Sequence, residues 1–157
     1  MLQAVDAAKR TLAQYWDKTL PVNSSAIAYR MGVQIFFVPD LPVSGCFDND
    51  GEGKPVIYVN PSESAVRQRF TIFHEMGHYV LGHGPSPRHI DPGYDKSHYN
   101  PKETAANQFA AEMIMPEGAV RLLAQNHSLA ELAAVFSVSE RAMAIRLQRL
   151  HLTEARA

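Results

Sequence analysis

The chain has 157 residues, 46% of them apolar and 20% charged, with a formal net charge of −1. Those values suit one soluble globular domain with a real core and exclude a disordered chain, and a charge so near zero gives no electrostatic sign of nucleic-acid binding. The single cysteine, Cys46, excludes an internal disulfide framework and a cysteine-based zinc site; it reads as a small hydrophobe or a neutral edge residue.

The N-terminus, Met1 to Asp6, lacks a basic segment followed by an apolar one. No later run approaches the length of about 18 apolar residues that would span a membrane. A cytoplasmic location is therefore expected. Residues 3–18 have helical spacing, with Val5, Leu12, Tyr15 and Trp16 near one stripe, and Pro21 ends that element. Ser24 or Ser25 is expected to cap a short helix running through Met31 and closed by Gly32. Val33 to Val38, rich in β-branched and aromatic residues, predicts a strand. Val43 to Phe47 and Pro55 to Asn60 predict two more, joined as a hairpin by the turn-forming Asp48-Asn49-Asp50-Gly51-Glu52-Gly53.

A longer helix is expected to start near Pro61, with Ser62 as cap, and to run to about Leu81. Phe70, Phe73, Gly77, Val80 and Leu81 would form its buried side, and Gly82 is placed to stop it. Gly82 to Asn100, with its glycines and prolines, is expected to form a long polar loop. Pro101 suits the first turn of a helix over 101–114, and Pro116-Glu117-Gly118 breaks the chain before another helix to about Gln125. Two short helices follow, over 128–136 and 140–150.

The chemistry is concentrated in His74-Glu75-Met76-Gly77-His78. Two histidines four apart on a helix share a face one turn apart, so both imidazoles can reach a single Zn²⁺. Glu75, beside the first of them, is left to act on water rather than on the metal. A catalytic zinc site uses three protein ligands and keeps a position for water. A third histidine in the metzincin arrangement would require Gly at position 81 and His at 84, where this chain has Leu81 and Gly84. Glu103, at the start of the 101–114 helix, fits a His₂Glu site instead. Asn107, four residues on, shares its face and can support a ligating histidine. Glu112, more than two turns further along, is a weaker rival. His83 reads first as a structural or surface histidine near the helix end.

The segment HEMGHYVLGHG followed by KETAANQFAAEMIMP resembles the ImmA/IrrE family of bacterial and phage zinc metallopeptidases. That family shows H-E-x-x-H-x-x-x-G-H and then E-x-x-A-N-x-F-A-x-x-x-x-M-P. The matching residues are His74, Glu75, His78, Gly82 and His83, then Glu103, Ala106, Asn107, Phe109, Ala110, Met115 and Pro116. With Ile57 to Asn60 upstream and the segments at Phe136 to Ser139 and Arg146-Leu147 downstream, the resemblance spans about residues 20–152. It implies a gluzincin-type centre in which His74, His78 and Glu103 hold one Zn²⁺ and Glu75 is the catalyst. It also implies a narrow-specificity endopeptidase whose substrate is a helix-turn-helix repressor of Xre or phage type, cleaved so that genes are derepressed.

The expected fold is a single α+β domain over residues 1–157. A minimal zincin-like catalytic part, residues 1–116, would carry a small, mostly antiparallel three-stranded sheet packed on the His74–His78 helix. Residues 117–157 would form a C-terminal helical bundle with a helix-turn-helix-like pair. An oxyanion donor or substrate contact is expected from the long loop, where His89, Tyr94, His98 and Tyr99 are candidates. By analogy with zincins, a peptide would lie along the edge strand near Val43 to Phe47.

Two other classes of function compete. One is a regulator or toxin–antitoxin component that binds a repressor without cutting it; an intact Glu75 argues for catalysis. The other is a DNA-binding regulator using residues 128–150, where Arg141, Arg146 and Arg149 lie on the second helix. Ile145, Leu147 and Leu150 commit that helix to packing, which favours a structural pair.

Overall fold

A computed structural model of the chain describes residues 2–85 and 100–152. Helix α1 (Leu2–Tyr15) is shorter than its apolar spacing suggests. Asp17 stops it: its carboxylate accepts hydrogen bonds from the Thr19 amide (3.0 Å) and hydroxyl (2.6 Å), a local turn that competes with continued helix. Helix α2 (Ser24–Met31) is capped one residue earlier than expected, because Asn23 rather than Ser24 or Ser25 accepts from the Ala26 amide. Gly32 closes it in the left-handed conformation, as the sequence predicts.

Strands β1 (Gln34–Phe37), β2 (Gly45–Asn49) and β3 (Pro55–Val59) form one sheet in the order β1-β3-β2. β2 and β3 are the expected antiparallel hairpin. Asp50 organises its turn, accepting from the amides of Glu52 (2.8 Å) and Lys54 (2.9 Å). The expectation of a mostly antiparallel sheet is corrected, because β1 pairs with β3 in parallel and the sheet is mixed. The connector after β1 carries the chain beyond the middle position, so β2 forms the far edge and the hairpin returns β3 between the two. Strand order of this kind depends on connector geometry, which local alternation of side chains does not encode.

Helix α3 (Ala65–Val80) is capped by Ser64, not Ser62; Ser62 is held back by Asn60, whose side-chain oxygen accepts from its amide and hydroxyl. Its buried face is wider than the expected stripe. Phe73 and Gly77 are buried as predicted, Ile72 and Met76 join them, and Phe70, Val80 and Leu81 pack only partly buried at the margin. Helix α4 (Pro101–Ile114) packs along α3, with Asn100 as cap. Helices α5 (Glu117–Leu123), α6 (Leu129–Phe136) and α7 (Glu140–Arg149) complete the described chain. Among the described residues, no helix is long and apolar enough to cross a membrane.

One apolar cluster joins these elements. It holds Leu12 of α1, Ile57 of β3, Phe73 of α3, Phe109 of α4 and Leu132, Phe136, Met143 and Leu147 of α6 and α7. Polar fasteners tie the C-terminal helices to it. Arg69 of α3 donates to the carbonyls of Phe136 (3.0 Å) and Ser137 at the end of α6. Arg146 of α7 donates to Glu112 of α4 (2.6 Å) and to the Met115 carbonyl (3.1 Å). Lys9 of α1 pairs with Glu117 at 3.0 Å.

Candidate metal centre

The pairing of α3 with α4 creates the site. Gly77 faces Phe109, and a Cβ there would lie 3.1 Å from the Phe109 Cβ and Cδ1. The glycine inside the histidine motif therefore sets how closely the two helices approach. At that separation His74 and His78, one turn apart on α3, meet Glu103 in the first turn of α4. His74 Nε2 lies 3.0 Å from Glu103 Oε2, His78 Nε2 lies 2.9 Å from Glu103 Oε1, and the two Nε2 atoms are 3.2 Å apart.

These spacings test whether a metal suits the donors. A tetrahedral ion with bonds of about 2.0–2.1 Å holds its ligand atoms roughly 3.3 Å apart. The two Nε2 atoms, 3.2 Å apart, are close to that edge, and each lies 2.9–3.0 Å from one oxygen of the Glu103 carboxylate. The outer nitrogens fit as well. His74 Nδ1–H donates to Asn107 Oδ1 at 2.8 Å, which leaves its Nε2 lone pair directed at the centre. The grouping of His74, His78 and Glu103 is thus able to hold a metal ion.

With no cation between them, the carboxylate and the imidazoles favour one another's charged forms. Hydrogen bonds from His74 and His78 hold the Glu103 carboxyl far below the usual carboxylate range, against a smaller opposing effect of burial. Burial disfavours charge on His74, but the bond to Glu103 and the charges of Glu75 and Glu103 outweigh it and raise its pKa. The buried Glu75 sits beside the centre, with one carboxylate oxygen 3.9 Å from His74 Nε2. It touches the margin of the site without joining the three donors.

The structure separates the two glutamates that compete for the third position. Glu112 is buried at the far end of α4, where it binds Arg146 and accepts from the Glu117 amide at 3.0 Å. No histidine shares its surroundings in these contacts, so Glu103 alone of the pair belongs to the centre. Arg146, a candidate for DNA contact in the sequence, is turned inward onto Glu112. His83, which reads as structural or surface from sequence, places its Nδ1 2.9 Å from His78 Nδ1. β2 is an edge strand and begins at Gly45, where an added Cβ would fall 2.4 Å from Thr71 Cγ2 and 3.9 Å from Glu75 Cγ. The edge strand expected to receive a peptide therefore begins against the helix that carries Glu75. His89, Tyr94, His98 and Tyr99 lie outside the described residues.

With this geometry in place, residues 28–148 match the peptidase family model described as the IrrE N-terminal-like domain. The chain belongs to the ImmA/IrrE family. This ImmA/IrrE member is 33% identical over 147 residues to the radiation response metalloprotease IrrE of Deinococcus radiodurans, an alignment covering 88% of this chain and 44% of that protein. It also shares its fold with a Mycobacterium tuberculosis transcriptional regulator, at a TM-score of 0.60 and 15% identity, over 94% of this chain and 46% of the other. The chain thus spans less than half the length of each of these two proteins. Membership of a metallopeptidase family implies a metal, and the His74–His78–Glu103 group is where the described residues can hold one.

Proposed function

We propose that this chain is a zinc-dependent endopeptidase of narrow specificity, with His74, His78 and Glu103 as the metal ligands and Glu75 as the catalytic carboxylate. The observation that carries the proposal is the convergence of two imidazole nitrogens, 3.2 Å apart, on the two oxygens of one carboxylate, beside a buried glutamate that is not part of the group. Bound there, zinc would supply the Lewis acidity that activates water and polarises a peptide carbonyl. Two nitrogens and one carboxylate, rather than thiolates or an all-oxygen set, favour zinc among divalent ions.

The protein's own residues have distinct tasks. Asn107 fixes the ring of His74 through the 2.8 Å bond to Nδ1. Glu75, held at the margin of the centre, takes a proton from the attacking water and passes it to the leaving amine. The side chain is 6% exposed, so little bulk water competes for that proton. The substrate in this reading is a helix-turn-helix repressor of Xre or phage type, whose cleavage switches genes on in the cytoplasm. The name of the Deinococcus relative, a radiation response metalloprotease, is compatible with a regulatory peptidase.

The test is co-incubation with a purified helix-turn-helix repressor of Xre type in the presence of zinc. The wild type is expected to make a discrete cut, and Glu75→Gln to lose about 10²–10⁴-fold in rate. Equal cutting by both, or tight binding with no cut by either, overturns the peptidase reading in favour of a binding regulator.

A further inference from the structure

We infer that His83 is a positioning residue for the proposed centre: it receives the outer proton of His78 and so turns the Nε2 lone pair of His78 toward the metal. The inference rests on the metal reading above. It adds a support for the second histidine equivalent to the one Asn107 gives the first.

The end of α3 supplies the geometry. Leu81 caps the helix, and Gly82 follows with φ +72°, a left-handed conformation that glycine adopts without strain. The Gly82 amide then donates to the Tyr79 carbonyl (3.1 Å) and the His83 amide to the His78 carbonyl (2.9 Å). This pair of bonds is the Schellman termination, in which the second residue beyond the cap is folded back onto the third-last helical residue. Those two residues are His83 and His78. The contact between them is commonly apolar in such motifs. Here it is an imidazole pair, with Nδ1 atoms 2.9 Å apart and ring centroids at 5.1 Å. The five-residue interval between ligand and support is therefore set by the helix stop itself.

The direction of that bond decides what His78 can do. A neutral imidazole carries one N–H and one lone pair. When His78 Nδ1–H donates to His83 Nδ1, the lone pair of His78 is on Nε2, 3.2 Å from the equivalent atom of His74. The opposite tautomer places a proton on Nε2, which then donates to Glu103 Oε1 at 2.9 Å. That arrangement has no lone pair for a metal. An acceptor at residue 83 selects the first tautomer, and such supports commonly change metal affinity by 10–100-fold.

Three substitutions separate this role from simple packing. His83→Leu keeps an apolar contact on the helix end but removes the acceptor. His83→Asn offers a side-chain oxygen near the place of Nδ1. His83→Ala removes both. Zinc affinity is measured by competition with a chromophoric chelator, and the His78 tautomer by ¹⁵N chemical shifts of the imidazole in the metal-free protein. Expected are a wild type that binds one zinc, a 10–100-fold weaker affinity for His83→Leu and His83→Ala, and recovery of most of the loss in His83→Asn. The Nδ1–H tautomer of His78 should decline in the Leu variant while thermal stability does not. Wild-type affinity and tautomer in His83→Leu would overturn the inference and leave the metal centre standing. A wild type that binds no zinc would overturn the metal reading and this inference together.

Discussion

The two ends of α4 carry the same functional group in opposite circumstances. At its start, Glu103 is 43% exposed in its side chain and faces two imidazoles; at its end, Glu112 is 3% exposed and faces a guanidinium. The second pairing is chemically complete. Arg146 is permanently charged, donates to Glu112 and to the Met115 carbonyl, and needs nothing further. The first pairing is complete only when the imidazole nitrogens carry protons or share a cation. Arginine thus completes the pairing of one carboxylate, whereas the paired histidines leave the other able to share a cation.

Four experiments would break or sharpen that contrast. The largest effect is expected at the completed end. Arg146→Ala leaves Glu112 buried without its partner and should lower unfolding free energy by about 3–5 kcal/mol in urea titrations. A double Glu112→Leu, Arg146→Leu variant should regain most of it, since apolar replacement of a buried pair is often close to neutral. If Arg146→Ala proves neutral, the pair is not a fastener and the contrast fails.

Next comes metal addition. Zinc at a hundred times its Kd should stabilise the wild type by about 2.7 kcal/mol, roughly 5–10 °C in Tm, and Glu103→Ala should abolish that gain. Glu112→Gln should keep it, although its own baseline is lower. Loss of the zinc response on changing Glu112 would assign the third ligand to the wrong carboxylate.

Gly77→Ala is expected to cost roughly 1–2 kcal/mol, because strain against Phe109 exceeds the helix propensity gained from alanine. It should also weaken zinc binding by widening the gap between α3 and α4. Calorimetry with and without zinc checks both. The smallest effect belongs to Asn100→Ala. Asn100 caps α4 through the amides of Lys102 (3.0 Å) and Glu103 (3.3 Å), and its loss should cost about 1 kcal/mol at the end that carries Glu103. An effect above that of Arg146→Ala would reverse the order proposed for the two ends.

Much of the centre was legible because its signals are local. His74, Glu75 and His78 lie within one helical turn, and the spacing of Glu103 and Asn107 repeats that turn on a second helix. The sequence ranks Glu112 below Glu103, but not what Glu112 does instead, because its partner Arg146 lies 34 positions away and only packing brings them together. The contact of His83 with His78 was not legible for a different reason. Its signal, a glycine followed by a histidine just past the helix end, marks a helix stop with a folded-back residue, but nothing local says which earlier side chain that residue meets.

The fold shows the same division. The Pro101 start of α4, the Gly32 stop of α2 and the β2–β3 hairpin follow from side chains acting on their own neighbours. Caps slipped by one or two residues where several hydroxyl or amide side chains compete within a few positions, as at Asn23, Ser24 and Ser25 and again at Ser62 and Ser64. The parallel β1–β3 ladder was missed because it is set by where a connector crosses, and no alternation within the strands records that path.

The clasp between α4 and α7 also bears on how the chain can be dissected. Ending it at Pro116 would strip Glu112 of its counter-ion and uncover the apolar surface that Leu132, Phe136, Met143 and Leu147 now shield. The helix that presents Glu103 on one flank would then be left without footing on the other. A minimal fragment holding every residue of the centre should therefore fail to fold, and the three last helices must travel with the histidines in any truncated or chimeric protein.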